Sequence, residues 1–240
     1  MIQTLSCLCY IIIMKVLVLG GTGLLGSELK KISDFICVGS EIDISNQSNL
    51  TFELDKINPN IIVLAAAKTN SVEIDKNPID AINTNIIGSA NVTKYCIEND
   101  IRLVYISTDY VYDSTGMEHE ENEPLNPFNY YSWTKLGGEC SVRGYKKSLI
   151  IRTSFGSIEY PYTHAYSDRF VNKDYVDVIA PMIKDLVLSD ETGIINVGTK
   201  SKNLFQYAQE RNPQVLESKQ NYPNNFTMDL SKLRKFYFKK

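Results

Sequence analysis

From Met14 onward the chain alternates short apolar runs with stretches of helical spacing. Residues 15–19, 35–39, 61–65, 103–106, 149–152 and 194–197 read as strands. Several of these runs are continuously apolar, as strands buried on both faces of a parallel sheet should be. Between them, residues 24–32, 46–57, 79–99 and 131–145 carry helical patterning. After Phe155 the regularity fades. Residues 156–174 are rich in Tyr, Asp, Ser and Pro and read as a loop or cap. A helix over 176–188 follows, then a strand, then helix-prone stretches at 203–211 and 229–236. Alternation of β and α elements predicts an α/β chain built on a doubly wound parallel sheet. The expected division is 14–155 for the main domain and 156–240 for a smaller C-terminal region interleaved with it.

The first thirteen residues, MIQTLSCLCYIII, are apolar and lack Lys and Arg. A signal peptide needs a basic start and a small-residue cleavage site. Met14 therefore reads as the functional start, with 1–13 as a non-structural leader. No later run of about 18 apolar residues exists, so membrane insertion is not expected. Composition excludes two further classes. With 43% hydrophobic and 22% charged residues, the chain is not disordered overall. With 25 Lys plus Arg against 28 Asp plus Glu, it lacks the basic footprint of a nucleic-acid binder. Five cysteines at irregular spacing argue for reduced thiols and a cytoplasmic protein. Cys7 and Cys9 form C-x-C without a Cys/His partner cluster, and two histidines are too few for a zinc site, so no metal is expected.

The first strand runs into Gly20-Gly21-Thr22-Gly23-Leu24-Leu25-Gly26. Gly20, Gly23 and Gly26 are spaced to allow a tight turn, close approach of a phosphate, and close helix–strand packing. The helix that follows offers unpaired N–H groups to a pyrophosphate. This makes the sheet Rossmann-type and the turn a dinucleotide site. Strand two ends Val38-Gly39-Ser40, without the acidic residue that binds adenosine ribose and without an Arg for a 2′-phosphate. Glu41 stands at about the expected sequence distance but opens the next short strand; Asp43 and Ile44 are better placed to border the adenine. The residues do not choose between NAD and NADP; NADPH is slightly favoured.

A second constellation lies further on. Strand 103–106 ends in Ser107-Thr108-Asp109-Tyr110-Val111-Tyr112, where hydroxyls meet the ligand crevice of such sheets. Tyr131 and Lys135 follow, four residues apart on one helix face. A phenol has a pKa of about 10 and serves acid–base chemistry at neutral pH only when tuned. A nearby ammonium would lower it. With Thr108 bonded to the same oxygen, the trio suits proton transfer to a carbonyl that receives a hydride from nicotinamide.

Together these residues resemble the extended short-chain dehydrogenase/reductase superfamily, and more narrowly the RmlD-like dTDP-4-dehydrorhamnose reductase family. The carrying segments are 20–26, Ala65-Ala66-Ala67, Asn85, Asn91-Val92, 107–112, and Pro124-Leu125-Asn126-Pro127 leading to Tyr131 and Lys135. Ile151-Arg152-Thr153-Ser154 and, near the end, 193–198 and 228–233 continue the match. The resemblance implies Thr108, Tyr131 and Lys135 as the catalytic set. It implies Gly20, Thr22, Gly23, Leu24, Leu25, Gly26, Asp43, Ile44, Ala65, Ala66, Ala67 and Asn85 as cofactor contacts, with Tyr131 and Lys135 also touching the cofactor. Asp109, Arg152, Phe155 and Arg169 would meet the substrate, and Lys173 and Lys200 are further cations in reach of a diphosphate. The implied activity is NAD(P)H-dependent reduction of a nucleotide-activated 4-keto-6-deoxy sugar, in deoxysugar and surface polysaccharide biosynthesis. Related dehydratases carry Asp-Glu after the Thr, whereas here Tyr110 follows Asp109. The chain departs from the family at Leu64, where relatives carry Asn, and at Phe155, where they carry Trp. The segment from 155 to 175 is also short. Two other functions stay open: a nucleotide-sugar epimerase, and a non-catalytic NAD(P)-binding subunit like the regulatory partner of methionine adenosyltransferase. Homodimer assembly is left open.

Overall fold

The computed structural model describes residues 14–220 and 224–239, so the reading of 1–13 as a leader lies outside the described residues. The elements, in chain order, begin β1 (Val16–Leu19), α1 (Leu24–Ile32), β2 (Ile36–Val38), α2 (Gln47–Ile57), β3 (Ile61–Leu64), α3 (Ser71–Lys76) and α4 (Ile79–Ala81). A π-helical segment, Ile82–Gly88, joins α4 to α5 (Ser89–Glu98). Next come β4 (Arg102–Thr108), α6 (Tyr130–Arg143), β5 (Ser148–Thr153), β6 (Phe155–Gly156), β7 (His164–Tyr166), β8 (Arg169–Val171) and β9 (Asp174–Tyr175). The chain closes with α7 (Val176–Val187), β10 (Gly193–Val197), β11 (Lys202–Asn203), α8 (Leu204–Gln209), β12 (Leu216–Ser218), β13 (Asn224–Phe226) and α9 (Ser231–Phe238).

Six strands form the central sheet in the order β10-β5-β4-β3-β1-β2, every pair parallel. Side chains alternate across it with the period of two that a strand imposes. Val16, Val18, Ile61 and Val63 face a core shared with Leu25 and Leu29 of α1, Ile179 and Ile183 of α7, and Phe236 of α9. Leu17, Leu19, Ile62 and Leu64 face the opposite core, with Leu50 and Leu54 of α2, Val92 of α5 and Val142 of α6. Helices on both faces explain why these strands read as unbroken apolar runs. Strand order reverses between β1 and β3, and the crevice at such a switch point is where open α/β sheets bind ligands.

The structure departs from the sequence reading in four places. The strand expected to open at Glu41 is absent: 40–46 is irregular, with Ile42 and Ile44 buried. α3 was not anticipated. The helix expected over 79–99 is interrupted by the π segment. Residues 156–174 contain short strands rather than loop alone: β6 pairs with β9, β7 with β12, and β8 with β11 and β13. β10 joins the main sheet beside β5, so the C-terminal region is threaded into the fold rather than appended.

Candidate active site

The turn after β1 is built for glycine. Gly20 adopts φ +97°, and a Cβ there would stand 2.5 Å from Ala66 N. A Cβ on Gly26 would stand 2.4 Å from Gly20 O, so α1 packs against the turn only without one. Gly20 and Gly21 N–H groups donate to Val38 O at 3.0 and 2.6 Å. Gly21 was missed by the sequence reading: a Cβ on it would meet Cys37 C and Val38 N at 2.6 Å. The Gly-Gly doublet at the strand end was the available signal. Helix α1 begins at Gly23 with no side-chain cap and no acidic residue in its first turn. Thr22, Gly23 and Leu24 are exposed, while Leu25 and Gly26 are buried. An uncapped helix start behind an open glycine turn fits the pyrophosphate of a dinucleotide. Ala65, Ala66 and Ala67 follow β3, half-buried alongside this turn, with Ala65 N donating to Leu19 O at 2.9 Å. Asp43 is exposed; Ser45 N and Oγ donate to its Oδ1 at 2.9 and 2.7 Å and hold its carboxyl below the usual range.

Three side chains expected to meet ligand are engaged by the fold instead. Ile44 is buried, filling the space a Cβ on Gly88 would need. Asn85 is fully buried: Lys68 N donates to its Oδ1 at 2.8 Å, and its Nδ2 donates to Lys68 O and Thr134 Oγ1, each at 2.9 Å. It therefore clamps the 65–68 segment to α6 rather than reaching a cofactor. Arg152 is fully buried, forked onto Glu139, with Nη1 donating to Tyr112 Oη at 2.8 Å and Glu121 O at 3.1 Å. Four of its five N–H donors are thus spent on Glu139, Tyr112 and Glu121.

Thr108 ends β4 at the crevice. Its Oγ1 donates to Asp109 Oδ1 at 3.2 Å and accepts from Tyr110 N at 3.3 Å. This same hydroxyl acts on the Tyr131 phenol. Tyr131 and Lys135 are carried by α6, whose start is fixed by a capping box between Asn129 and Ser132. Burial pushes the Tyr131 phenol well above its ordinary pKa, the Asp109 and Tyr110 charges add to this, and the Thr108 bond opposes it. Lys135 is 3% exposed; its Nζ donates to Ile106 O at 2.7 Å and lies 4.3 Å from the Tyr105 ring centroid. Burial pushes this amine down to about 7, against the pull of Glu139. The expected tuning of Tyr131 by Lys135 is thus replaced here. Lys135 turns to Ile106 O, and the groups acting on Tyr131 are Asp109, Thr108 and Tyr110.

Beside this cluster Asp109 is fully buried, and its Oδ2 has no hydrogen-bond partner. Burial raises its carboxyl to about 6, against Lys173, Arg169 and hydroxyl bonds from Thr108 and Ser154. The Arg169 guanidinium lies 5.1 Å from both the Tyr110 and Phe226 ring centroids, with Nη2 donating to Tyr110 Oη at 2.6 Å. Phe155 is half-buried against the main core, its backbone paired with Asp174. Lys200 stands apart, lining a cavity of about 940 Å³ with Met117, Met228, Leu233 and Phe238. Among the described residues, no grouping of His, Cys, Asp and Glu is arranged to hold a metal, and no helix is long and apolar enough to cross a membrane.

A parallel doubly wound sheet, a glycine turn into an uncapped helix, Thr108 at the end of the fourth strand, and Tyr131 and Lys135 on α6 define a Rossmann-type chain of the short-chain dehydrogenase/reductase class. Comparison with known proteins narrows this. The family model "RmlD substrate binding domain" matches residues 14–180. The chain belongs to this RmlD-like dTDP-4-dehydrorhamnose reductase family. It is 28% identical over 184 residues to a dTDP-4-dehydrorhamnose reductase of Aggregatibacter actinomycetemcomitans, covering 70% of this chain and 61% of that protein. It is 30% identical over 141 residues to methionine adenosyltransferase 2 subunit beta of Bos taurus, covering 53% of this chain and 42% of that one. The chain thus spans less than two thirds of the length of these relatives. Among solved structures it superposes on dTDP-4-dehydrorhamnose reductase of Bacillus anthracis, crystallised with NADP, at a TM-score of 0.82 and 25% identity, covering 92% of this chain and 91% of that one.

Proposed function

We propose that the protein is an NADPH-dependent reductase of a nucleotide-activated 4-keto-6-deoxy sugar. The observation that carries this is the meeting at the end of β4 of Thr108, whose Oγ1 donates to Asp109 Oδ1 at 3.2 Å, with a glycine turn suited to a dinucleotide, the Thr108 hydroxyl and the Asp109 charge both acting on the Tyr131 phenol. When bound, the nicotinamide supplies hydride. The chain's own residues then handle the proton and the pose. Burial keeps the Tyr131 phenol protonated at neutral pH, so it is an acid ready to donate to the sugar O4 as that oxygen gains charge. Thr108 polarises the same carbonyl. Lys135, buried on α6 with Nζ donating to Ile106 O at 2.7 Å, is the residue this reading assigns to the nicotinamide ribose. Asp109, whose buried Oδ2 has no partner, and Arg169, bonded to Tyr110, are the groups this reading assigns to the sugar and its diphosphate.

The reduced thiols Cys37, Cys96 and Cys140 and a nucleotide-linked substrate support a cytoplasmic protein. Homodimer assembly is the state to check by light scattering. A second reading is favoured by one finding. The 30% identity to a methionine adenosyltransferase subunit supports a regulatory role in which cofactor binds without turnover. Deuteride-labelled NADPH separates the two. The reductase reading expects one deuterium at C4 of a dTDP- or UDP-linked deoxysugar. Tight NADPH binding with no labelled product on any keto-sugar, together with a stable complex with a methionine adenosyltransferase catalytic chain, would replace it.

A further inference from the structure

A second concavity lies at the β10 edge of the main sheet. It holds about 720 Å³ and is lined by Ser148 and Gly193, the first residues of β5 and β10. Thr108 and the glycine turn stand at the opposite ends of these parallel strands. The cleft is therefore separate from the crevice described above, and no residue assigned to that crevice lines it.

Its walls are basic, on a chain whose net charge is −3. Arg143 closes α6 and Lys146 follows just beyond it. Lys232, Lys235 and Lys239, spaced three and four apart, share one side of α9 and its C-cap. Among the described residues, Glu191 is the single acid in the lining. A merely solvated face would carry its lysines on one helix. Here the cations converge from two helices that pack on opposite faces of the sheet, α6 through Val142 and α9 through Leu233 and Phe236.

Internal pairing leaves this charge in excess. Lys232 Nζ lies 3.2 Å from buried Glu121, and Lys239 Nζ 4.0 Å from Glu191. Arg143 Nε lies 3.5 Å from Glu139, a carboxylate already forked by Arg152. Among the described residues, Lys146 and Lys235 make neither a hydrogen bond nor an ion pair. Asp229, which Lys235 reaches only at longer range, is held by Arg234 and Ser231. A cleft lined by one sign of charge focuses the field and draws counter-ions into it.

We propose that this cleft is a binding site for a small ligand carrying several adjacent phosphate groups, gripped by Lys146 from the α6 side and Lys235 from the α9 side. Several cations around one bounded concavity call for several negative charges close together, which a polyphosphate chain or a nucleoside polyphosphate supplies. Nucleic acid would call for an extended basic stripe instead. The site stands independently of the chemistry assigned to the crevice.

The test is calorimetric titration of the full chain with tripolyphosphate, and separately with ATP, at saturating NADPH so that the glycine turn is filled. One site per chain is expected, weakening as salt is raised. An ammonium–phosphate hydrogen bond contributes about tenfold in affinity. Lys146→Ala/Lys235→Ala should therefore bind about tenfold or more weaker, and Lys146→Arg/Lys235→Arg should retain binding, with circular dichroism verifying the fold. ATP binding tighter than tripolyphosphate supports the site and names a nucleoside ligand. Equal or weaker ATP binding supports it as a site for bare polyphosphate. Absence of binding by either probe, or affinity unchanged in Lys146→Ala/Lys235→Ala, overturns the proposal. An equal loss in Lys76→Ala/Lys94→Ala, on exposed faces elsewhere, overturns it too, because net charge rather than the cleft is then responsible. Tighter binding of a single-stranded oligonucleotide than of either probe overturns it in favour of a nucleic-acid surface.

Discussion

Tyr131 and Asp109 sit in the same dry pocket and answer burial in the same direction: each holds its proton more tightly than in water. For Tyr131 this suits an acid. Tyr131→Phe removes the donated proton while leaving the ring, so turnover should fall roughly a hundred- to ten-thousand-fold with NADPH affinity little changed. Rate assays paired with fluorescence titration of NADPH check both halves. For Asp109 the consequence is on stability. Its folded pKa, about 6, lies above the ordinary value of 3.8, so its favourable contribution is complete below pH 4 and lost as pH rises through 6. Asp109→Asn should therefore melt higher than wild type at pH 8, with the gain vanishing toward pH 4, while sugar reduction suffers. Melting curves across that range test the sign. At this scale the motif residues were legible, because Gly20, Thr108, Tyr131 and Lys135 announce themselves by local spacing. The fates of Ile44, Asn85 and Arg152 were not, because their partners Gly88, Thr134 and Glu139 become neighbours only after folding. The direction in which Lys135 points was hidden for the same reason: Ile106 O belongs to a strand 29 residues earlier.

Elements decide how firmly these side chains are held. α6 starts one residue before Tyr131, and Asn129 Oδ1 accepts from Ser132 N at 2.8 Å while Ser132 Oγ accepts from Asn129 N at 3.2 Å. Asn129→Ala removes this cap and should cost about 0.5–2 kcal/mol, read as a lower urea midpoint. It should lower kcat as well, because the first turn of α6 carries Tyr131. The π segment at Ile82–Gly88 belongs to the same logic: it carries Asn85, whose bonds join the end of β3 to α6. The major strands and helices were legible because the core-facing residues repeat over many positions. β6, β9 and β11 were not, since two residues cannot display a period. β4 runs further than its apolar stretch because Ser107 and Thr108 are buried despite their hydroxyls, Ser107 donating to Glu139 Oε2 at 2.7 Å.

In the whole molecule, a buried ion pair ties α6 to the sheet. Glu139 of α6 and Arg152 of β5 are both fully buried, and Arg152 also reaches Tyr112 and Glu121 O. Arg152→Met would leave the buried Glu139 with only the Ser107 hydroxyl and the part-exposed Arg143, and the expected loss is about 3–5 kcal/mol in chemical denaturation. The doubly wound order places the glycine turn, the end of β3 and the end of β4 along one edge, which is why a cofactor and a carbonyl can meet there. The alternating pattern announced this architecture. The shortness of the region between β5 and α7 also stood in the sequence, but its short strands became visible only when β9 was seen beside β6. The most direct measurement is NADPH consumption by the purified protein with dTDP-4-dehydrorhamnose or another nucleotide-linked 4-keto-6-deoxy sugar. The account predicts one NADPH oxidised per sugar reduced, with the activity lost in Tyr131→Phe. NADPH binding without consumption across such sugars, or consumption unchanged in Tyr131→Phe, would contradict it.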